Sequence, residues 1–147
     1  MKISDLQARI GESIGSTDWE VVSQDRINLF AQSTGDYQFI HVDPELAKDS
    51  PFGQTIAHGF LSLSLLAPMI QQCREGLEVR MSVNYGLNKV RFLSPVKSGK
   101  RVRGHFRQLA LEEKRPGQWQ QTLECTIEIE GEDKPALIAE WILQLFD

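Results

Sequence analysis

The segment TGDYQFIHVD, residues 34–43, places a carboxylate and an imidazole close together in a stretch of chain that has to bend. Asp36 and His41 are five residues apart, a spacing that fits neither one face of a helix nor one face of a strand. If the chain turns between them, both side chains can hold a single water, one accepting a proton while the other donates or relays one. That is general acid–base chemistry, and burial among the bulky side chains between them would tune both pKa values.

A purely structural role is the alternative for both side chains. In that interpretation Asp36 accepts backbone N–H groups at a turn, and His41 is a core histidine with one hydrogen bond. The spacing alone favours this structural interpretation, so the choice depends on what else the chain brings to the same place.

The pair His58-Gly59, which opens the longest apolar stretch, is the second feature that points to chemistry. At a helix start the first backbone amides have no partner within the helix, so Gly59 can donate to the oxygen of a polarised carbonyl. Glycine also lets a substrate approach the backbone closely. The alternative is that Gly59 only relieves crowding against a sheet. Nothing in the sequence marks His58 as a second base, and we expect a structural role for it.

Three helices are predicted around these residues. Ser23 caps a first helix that ends at Gly35, and Asp43 caps a second, shorter one. The third helix opens near Gly59 and runs through FLSLSLLAPMIQQC, which is apolar nearly all round and is therefore predicted to be buried. Pro68 removes a backbone donor within this helix and is expected to kink or shorten it.

After Gly76 the hydrophobic period changes to two, which predicts strands. Their expected ranges are 79–93, 101–111, 119–130 and 136–146. Because short connections between consecutive strands favour antiparallel pairing, we expect a four- or five-stranded antiparallel sheet with the buried helix laid across it. The predicted class is α+β, in a single domain over residues 1–147.

The segment 79–111 carries eight cations and no acid, and this pattern has two interpretations. A basic stripe can bind the phosphates of a nucleic acid or of a phosphorylated cofactor. Alternatively, in a hairpin that turns near Pro116, three of the arginines face glutamates across the strands without any ligand. The expected pairs are Arg101 with Glu130, Arg103 with Glu128 and Arg107 with Glu124. We favour pairing for these three, and both interpretations stay open for Lys89, Arg91 and Lys97.

Composition and charge argue against several classes of function. The formal net charge of -4 makes nucleic-acid binding through overall charge an unfavourable hypothesis. The N-terminal MKISDLQARIGES lacks the apolar core of a signal peptide, and the longest apolar run, 59–70, is too short to span a bilayer. Cys73 and Cys125 form no paired motif, so we expect reduced thiols and a cytoplasmic protein. The histidines lack the i, i+3 or i+4 spacing of a metal site, so no metal is expected.

The stretch GDYQFIHVDPELAKDSPFGQTIAHGFLSLSL resembles the hydratase segment of the MaoC-like, (R)-specific enoyl-CoA hydratases. The likeness continues through NYGLNKVRFLSPVKSGKRVR and covers essentially the whole chain. It is greatest to the small bacterial members that supply polyhydroxyalkanoate synthesis from fatty-acid oxidation. The resemblance implies the hot-dog fold, a long helix wrapped by an antiparallel sheet. It also implies that Asp36 and His41 bind the catalytic water and that the Gly59 amide binds the thioester oxygen, although the family's Asn-Pro is replaced here by Gln38-Phe39.

The function that the resemblance implies is reversible hydration of trans-2-enoyl-CoA to (3R)-3-hydroxyacyl-CoA. The coenzyme A thioester is then the substrate, and no metal or redox cofactor is expected because the thioester activates the alkene. The family pairs its protomers, so the resemblance also implies a homodimer with Asn84 and Arg91 near the interface or the substrate. Two other functions stay open: a hot-dog acyl-CoA thioesterase, and a non-catalytic acyl-binding protein, against which the Asp36–His41 pair argues.

Overall fold

A single antiparallel sheet is the frame of the molecule, and the computed structural model describes all of residues 1–147. The helices are α1 Ile3–Gln7, α2 Gln24–Thr34, α3 Phe39–Val42, α4 Pro44–Ala47, α5 Gly59–Ser64 and α6 Leu66–Cys73. The strands are β1 Ser13–Ser16, β2 Glu20–Val21, β3 Met81–Phe92, β4 Arg101–Arg115, β5 Gln118–Ile129 and β6 Leu137–Phe146. They follow the order β1-β4-β5-β6-β3 across the sheet, and β2 also pairs with β4. None of the helices is long and apolar enough to cross a membrane.

The four predicted strands are confirmed as β3 to β6, and the α+β class is confirmed with them. β4 continues to Arg115, beyond its predicted end at residue 111, because its pairing with β5 persists almost to the turn at Gly117. The sequence did not predict β1 and β2, which have four and two residues. Strands this short contain too few residues for an alternating pattern to be recognised.

Two consecutive helices, α5 and α6, pack against the inner face of the sheet and form the core with it. Leu65, Leu66, Met69 and Ile70 are at most 3% exposed and belong to a cluster of 25 buried residues that includes side chains of β4, β5 and β6. Gly104 on β4 permits a close approach, since a Cβ there would lie 3.0 Å from the Met69 sulfur. The expected buried helix wrapped by an antiparallel sheet is therefore confirmed.

Pro68 interrupts this buried helix, as predicted. A proline has no N–H to donate to the carbonyl four residues earlier, and its ring crowds that carbonyl. That earlier residue is Ser64, where α5 ends, and α6 begins two residues later. Leu65 between them keeps helical dihedral angles, and its N–H donates to the Leu61 carbonyl at 3.1 Å. The interruption is therefore local, and the two helices act as one buried element.

The predicted caps hold both ends of the segment TGDYQFIHVD. Ser23 Oγ accepts the N–H of the third residue of α2 at 3.2 Å, and α2 ends at Gly35 with a φ of 82°, in the left-handed region. Asp43 Oδ1 accepts two N–H groups in the first turn of α4, each at 3.1 Å. The course of the chain on either side of the Asp36–His41 turn is therefore fixed by local hydrogen bonds.

The last strand in the sheet order, β3, is the least covered part of the sheet. It is 12 residues long, pairs only with β6, and none of its residues is buried. Its exposed apolar side chains are Met81, Val83, Tyr85, Leu87 and Phe92. A long apolar edge strand presents unpaired backbone groups to which another strand can add.

The outer face of the β4–β5 hairpin carries the ion pairs that the sequence predicted, namely Arg101 with Glu130, Arg103 with Glu128 and Arg107 with Glu124. Arg103 lies directly opposite Glu128 in the strand register, and its Nε donates to Glu128 Oε2 at 2.8 Å. Cross-strand pairing therefore accounts for these three arginines without a phosphate ligand.

Glu128 is the centre of a larger polar cluster than the sequence indicated. Its Oε2 also lies 2.6 Å from His105 Nε2, and His105 Nδ1 lies 2.7 Å from Ser16 Oγ. The guanidinium of Arg103 lies 4.4 Å from the centre of the Trp19 ring. Hydrogen bonds from Arg103, and then from His105, lower the pKa of the Glu128 carboxyl below its ordinary value.

Glu128→Gln should lower the free energy of unfolding near neutral pH by about 0.2–1 kcal/mol, the range for a cross-strand ion pair. Because the folded protein lowers the pKa of Glu128, its stabilisation is complete above the unfolded pKa and is lost as the pH falls through the folded one. Thermal unfolding should be measured between about pH 7 and about pH 3. The difference in stability between wild type and variant should become smaller as the pH falls.

Glu124→Gln is the matched control, because its partner Arg107 is 3.9 Å away and both side chains are 55% exposed. This variant should lose less stability than Glu128→Gln near neutral pH. Equal losses of stability for the two variants would contradict a stabilising role for the Glu128 contacts. So would a difference between wild type and Glu128→Gln that grows as the pH falls.

Candidate active site

The chain turns sharply between α2 and α3, as convergence of Asp36 and His41 requires. After Gly35, Asp36 Oδ1 accepts the Gln38 N–H at 3.2 Å, which closes a turn two residues long. α3 follows as a single helical turn and carries His41. The five-residue spacing therefore spans one turn and the start of a helix.

The ring of His41, which is 7% exposed, is oriented by a main-chain acceptor. Its Nδ1 lies 2.8 Å from the Ile56 carbonyl oxygen, so Nδ1–H donates and Nε2 keeps its lone pair. The Ile56 N–H in turn donates to the Ile40 carbonyl at 2.9 Å, which ties α3 to the residues before α5. From the other side, Gln24 Nε2 donates to the His41 carbonyl oxygen at 2.8 Å.

Asp36 and His41 converge, and His58 joins them. One potential ligand atom from each of the three side chains lies within 4.8 Å of the other two. The rings of His41 and His58 stack with 3.8 Å between centroids and an interplanar angle of 22°. His58 Nε2 lies 2.9 Å from the Asp36 main-chain carbonyl oxygen. Sequence reasoning set His58 aside as structural, and its position next to Gly59 was the only signal that placed it near the pair.

Burial affects the two members of the pair differently. It is the main cause that lowers the pKa of the His41 imidazole, and the nearby His58 lowers it as well. The main-chain hydrogen bond and the Asp36 carboxylate oppose this shift. Asp36 is exposed, and so are Tyr37 and Phe39, at 58% and 43%. The expectation that both groups are buried among neighbouring side chains is therefore wrong for Asp36 in the single chain.

The contacts expected from a structural role are present beside the convergence. Asp36 accepts one backbone N–H, and the His41 ring makes one hydrogen bond. These contacts occupy Asp36 Oδ1 and His41 Nδ1 and leave Oδ2 and Nε2 for another ligand. A carboxylate oxygen and an imidazole nitrogen within 4.8 Å of each other can hold one water between them and exchange protons with it.

Two imidazoles and a carboxylate are also the side chains of many zinc sites, so metal binding has to be tested against the geometry. Ligation requires each imidazole to direct an in-plane lone pair at one ion about 2.0–2.1 Å away. Two nearly parallel rings stacked 3.8 Å apart direct their lone pairs side by side. His41 and His58 cannot share an ion without leaving the stack, and we keep the prediction that the site uses no metal.

Gly59 is the first residue of α5, so its amide has no carbonyl partner within the helix. A Cβ at this position would lie 3.0 to 3.3 Å from three atoms of the Phe92 ring on β3. The crowding alternative therefore has support of its own, because a larger residue would displace that ring. A cavity of ≈ 210 Å³ lined by Gly59, Ser62 and Phe92 opens at the same place. The site thus offers both a free amide and room beside it.

Asn84 and Arg91 lie on β3, at the uncovered edge of the sheet. Asn84 Oδ1 accepts the Trp141 Nε1–H at 3.0 Å, and Asn84 lines a second cavity of ≈ 480 Å³ between the buried helices and β3. Arg91 is exposed and donates to the Val90 carbonyl oxygen at 2.8 Å. Within one chain these hydrogen bonds connect neither residue to Asp36 or His41.

Most of the chain matches one protein family, described as the MaoC like domain, over residues 5–130. The chain is 47% identical over 142 residues to 3-hydroxyacyl-thioester dehydratase Z of Mycobacterium tuberculosis, covering 97% of this chain and 94% of that protein. It is 49% identical over 144 residues to Nodulation protein N of Rhizobium leguminosarum bv. viciae, covering 97% and 89%. The solved (R)-hydratase from A. caviae involved in PHA biosynthesis superposes with a TM-score of 0.76 at 25% identity, over 91% of this chain and 94% of that one.

Gly59→Ala tests the close approach of Phe92 to the start of α5. We expect a loss of about 1–3 kcal/mol in the free energy of unfolding, because the added Cβ must push the ring aside. In the double variant with Phe92→Ala the Cβ meets no ring, so the double variant should lose less than the sum of the two single variants. Denaturant unfolding of all four proteins measures this coupling, and strictly additive losses would show that the contact does not matter.

Proposed function

Because the chain belongs to the MaoC-like domain family, we propose that it is a hydro-lyase that reversibly hydrates trans-2-enoyl-CoA to (3R)-3-hydroxyacyl-CoA. The observation that carries the proposal is the convergence of Asp36 and His41, whose Oδ2 and Nε2 atoms are left to share one water. A structural role for each residue separately does not explain why the buried imidazole and the carboxylate lie close together.

The proposed reaction begins with a water held between the Asp36 carboxylate and His41 Nε2. The hydrogen bond from Nδ1–H to the Ile56 carbonyl fixes the tautomer that presents Nε2 to this water. The water oxygen bonds to the β carbon, one of its protons passes to the pair, and the π electrons move onto the thioester oxygen. A proton then passes from the pair to the α carbon as the carbonyl re-forms. One water is added in total, and no other reactant is consumed.

The Gly59 amide has the role of stabilising the negative charge that develops on the thioester oxygen. A preorganised N–H donor in a site from which water is excluded favours such a charge more than it favours the neutral carbonyl. The adjacent cavity of ≈ 210 Å³ gives the carbonyl room to approach the amide. The thioester itself withdraws electrons from the alkene, so the proposed chemistry needs no metal and no redox cofactor.

The names of similar proteins support the substrate class and the stereochemistry. The M. tuberculosis relative is named a 3-hydroxyacyl-thioester dehydratase, and the A. caviae structure is described as an (R)-hydratase involved in PHA biosynthesis. Hydration and dehydration are the two directions of one equilibrium, so both names fit a single site. We propose fatty-acid metabolism as the setting, with supply of hydroxyacyl units to polyhydroxyalkanoate synthesis as one use.

Asp36→Asn and His41→Gln test this mechanism. The asparagine keeps the shape of the side chain without its proton acceptor, and the glutamine keeps a hydrogen-bonding group without a titrating ring. Each should lower kcat for enoyl-CoA hydration by roughly 10²–10⁴-fold, the range for a positioned acid or base. Because both groups act on one water, the double variant should be little worse than the poorer single variant. Loss of the enoyl thioester absorbance measures the rate.

His105→Gln is the matched control, since this histidine is hydrogen-bonded to Glu128 on the outer face of the sheet. It should leave kcat unchanged. Thermal unfolding of every variant separates loss of chemistry from loss of fold. A folded His41→Gln protein with near-normal turnover would contradict the mechanism, and altered melting with intact hydration would indicate a structural role for the pair.

We also propose that the active form is a homodimer closed through β3. This strand leaves an edge of 12 residues unpaired and exposes five apolar side chains. Phe60, 69% exposed at the start of α5, lies 6.0 Å from Phe92 between ring centroids and extends this surface toward Gly59. Pairing two copies along β3 would bury the edge and bring the partner near the site. Asn84 and Arg91 are the residues of this strand that we propose contact the partner or the substrate.

The double variant Val83→Lys/Leu87→Lys tests the dimer by placing charges at two exposed apolar positions along the edge strand β3. Like charges brought together across a two-fold interface repel, so we expect a monomer with strongly reduced hydration. Leu29→Lys, at a still more exposed leucine on α2, should stay dimeric and active. Analytical sedimentation gives the state of each protein, and a purely monomeric, fully active wild type would refute the proposal.

A further inference from the structure

His58 is the most deeply buried of the three converging side chains, and two other rings pack against it. It is 3% exposed. The His41 ring lies against one face at 3.8 Å between centroids, and the Phe30 ring lies 4.9 Å away at a tilt of 56°. The imidazole thus packs against Phe30 of α2 and His41 of α3.

The single hydrogen bond of the His58 ring defines its tautomer. Nε2 lies 2.9 Å from the Asp36 carbonyl oxygen, which can only accept, so the proton is on Nε2. Nδ1 is buried and has no partner in the chain. A proton on Nδ1 would be buried without an acceptor, so the contact with the Asp36 carbonyl selects the Nε2–H tautomer.

Packing alone does not explain a histidine at this position. A phenylalanine would fill the same space against Phe30 and His41 without burying an unpartnered nitrogen. What the imidazole provides in addition is the Nε2–H group, and this group reaches the main chain of the residue whose carboxylate we place on the catalytic water. The side chain therefore links the two members of the pair, one by stacking and the other by a hydrogen bond.

We propose that His58 is a positioning residue for the hydration reaction, holding the Asp36 main chain by its Nε2–H and the His41 ring by its face. The inference rests on the proposed function for its kinetic consequence, but the two contacts are properties of the protein itself. The titratable groups that face His41 are Asp36, from the turn before α3, and His58, from the residue before α5. The nearby His58 lowers the pKa of the His41 imidazole, so replacing His58 should raise that pKa.

Two substitutions separate the hydrogen bond from the stacking. His58→Gln keeps an N–H donor at a similar distance from the main chain and removes the ring. His58→Phe keeps a ring between Phe30 and His41 and removes the donor. We expect kcat to fall about tenfold in His58→Phe, the equivalent of one hydrogen bond, with KM little changed, and to fall less in His58→Gln.

The pH dependence and nuclear magnetic resonance supply readouts that packing alone would not change. In both variants the limb of the pH–rate profile that reports the pKa of His41 should move to higher pH. The direction of this shift is the same whether His41 accepts or donates the proton in the reaction. A titration of the His41 ring signals should show the same rise without any substrate. The ¹³C signal of the Asp36 carbonyl should shift in His58→Phe and stay closer to that of the wild type in His58→Gln.

These measurements keep the positioning role and the reaction distinguishable. If the wild type does not hydrate enoyl-CoA, the proposed function fails, while the ring titration and the carbonyl signal still decide the role of His58. If His58→Phe does not fold, nuclear magnetic resonance of the wild type can still determine the tautomer of His58. A proton found on Nδ1 would overturn the proposal. Folded variants with unchanged kcat, pH profile and His41 titration would overturn it as well.

Discussion

The hydrogen bond from His41 Nδ1–H to the Ile56 carbonyl oxygen is the contact on which the site depends. It is buried, 2.8 Å long, and joins a one-turn helix to a segment that pairs with the connection between β3 and β4. Ile56 forms a bridge with Lys97, and the next N–H, that of Ala57, donates to the Val96 carbonyl at 2.8 Å. The connection between β3 and β4 therefore positions the Ile56 carbonyl that orients the His41 ring. Without this acceptor neither the tautomer nor the direction of Nε2 would be defined.

The same anchored segment leads directly into the other half of the site. His58 and Gly59 follow Ala57, so one short extended stretch carries the acceptor for His41, the ring stacked on it and the first amide of α5. That amide is held in place because α5 and α6 are packed into the core. The Ile56 carbonyl, the His58 ring and the Gly59 amide therefore lie on one segment that continues into the buried helix. A shift of that helix against the sheet would move all three groups together.

The sequence predicted the long strands and both helix caps, because alternation over ten or more residues and cap residues such as Ser23 and Asp43 are strong local signals. The five-residue spacing across a turn allowed Asp36 and His41 to converge, although the spacing alone favoured a structural role for both. The stacking of His58 on His41 could not be predicted, because it depends on the path of the residues between 41 and 58, which no local pattern defines. The exposure of Asp36 was missed for a related reason: the bulky neighbours Tyr37 and Phe39 point to solvent in the single chain.

The reaction of the wild-type protein with crotonyl-CoA is the most direct test, followed by the enoyl thioester absorbance with product chirality and free thiol determined. We expect the absorbance to fall to an equilibrium level, with (3R)-3-hydroxybutyryl-CoA as the product and no thiol released. Unchanged absorbance would contradict a hydration site at Asp36 and His41. Release of free coenzyme A would instead assign the same constellation to thioester hydrolysis, and a (3S) product would contradict the proposed placement of the water.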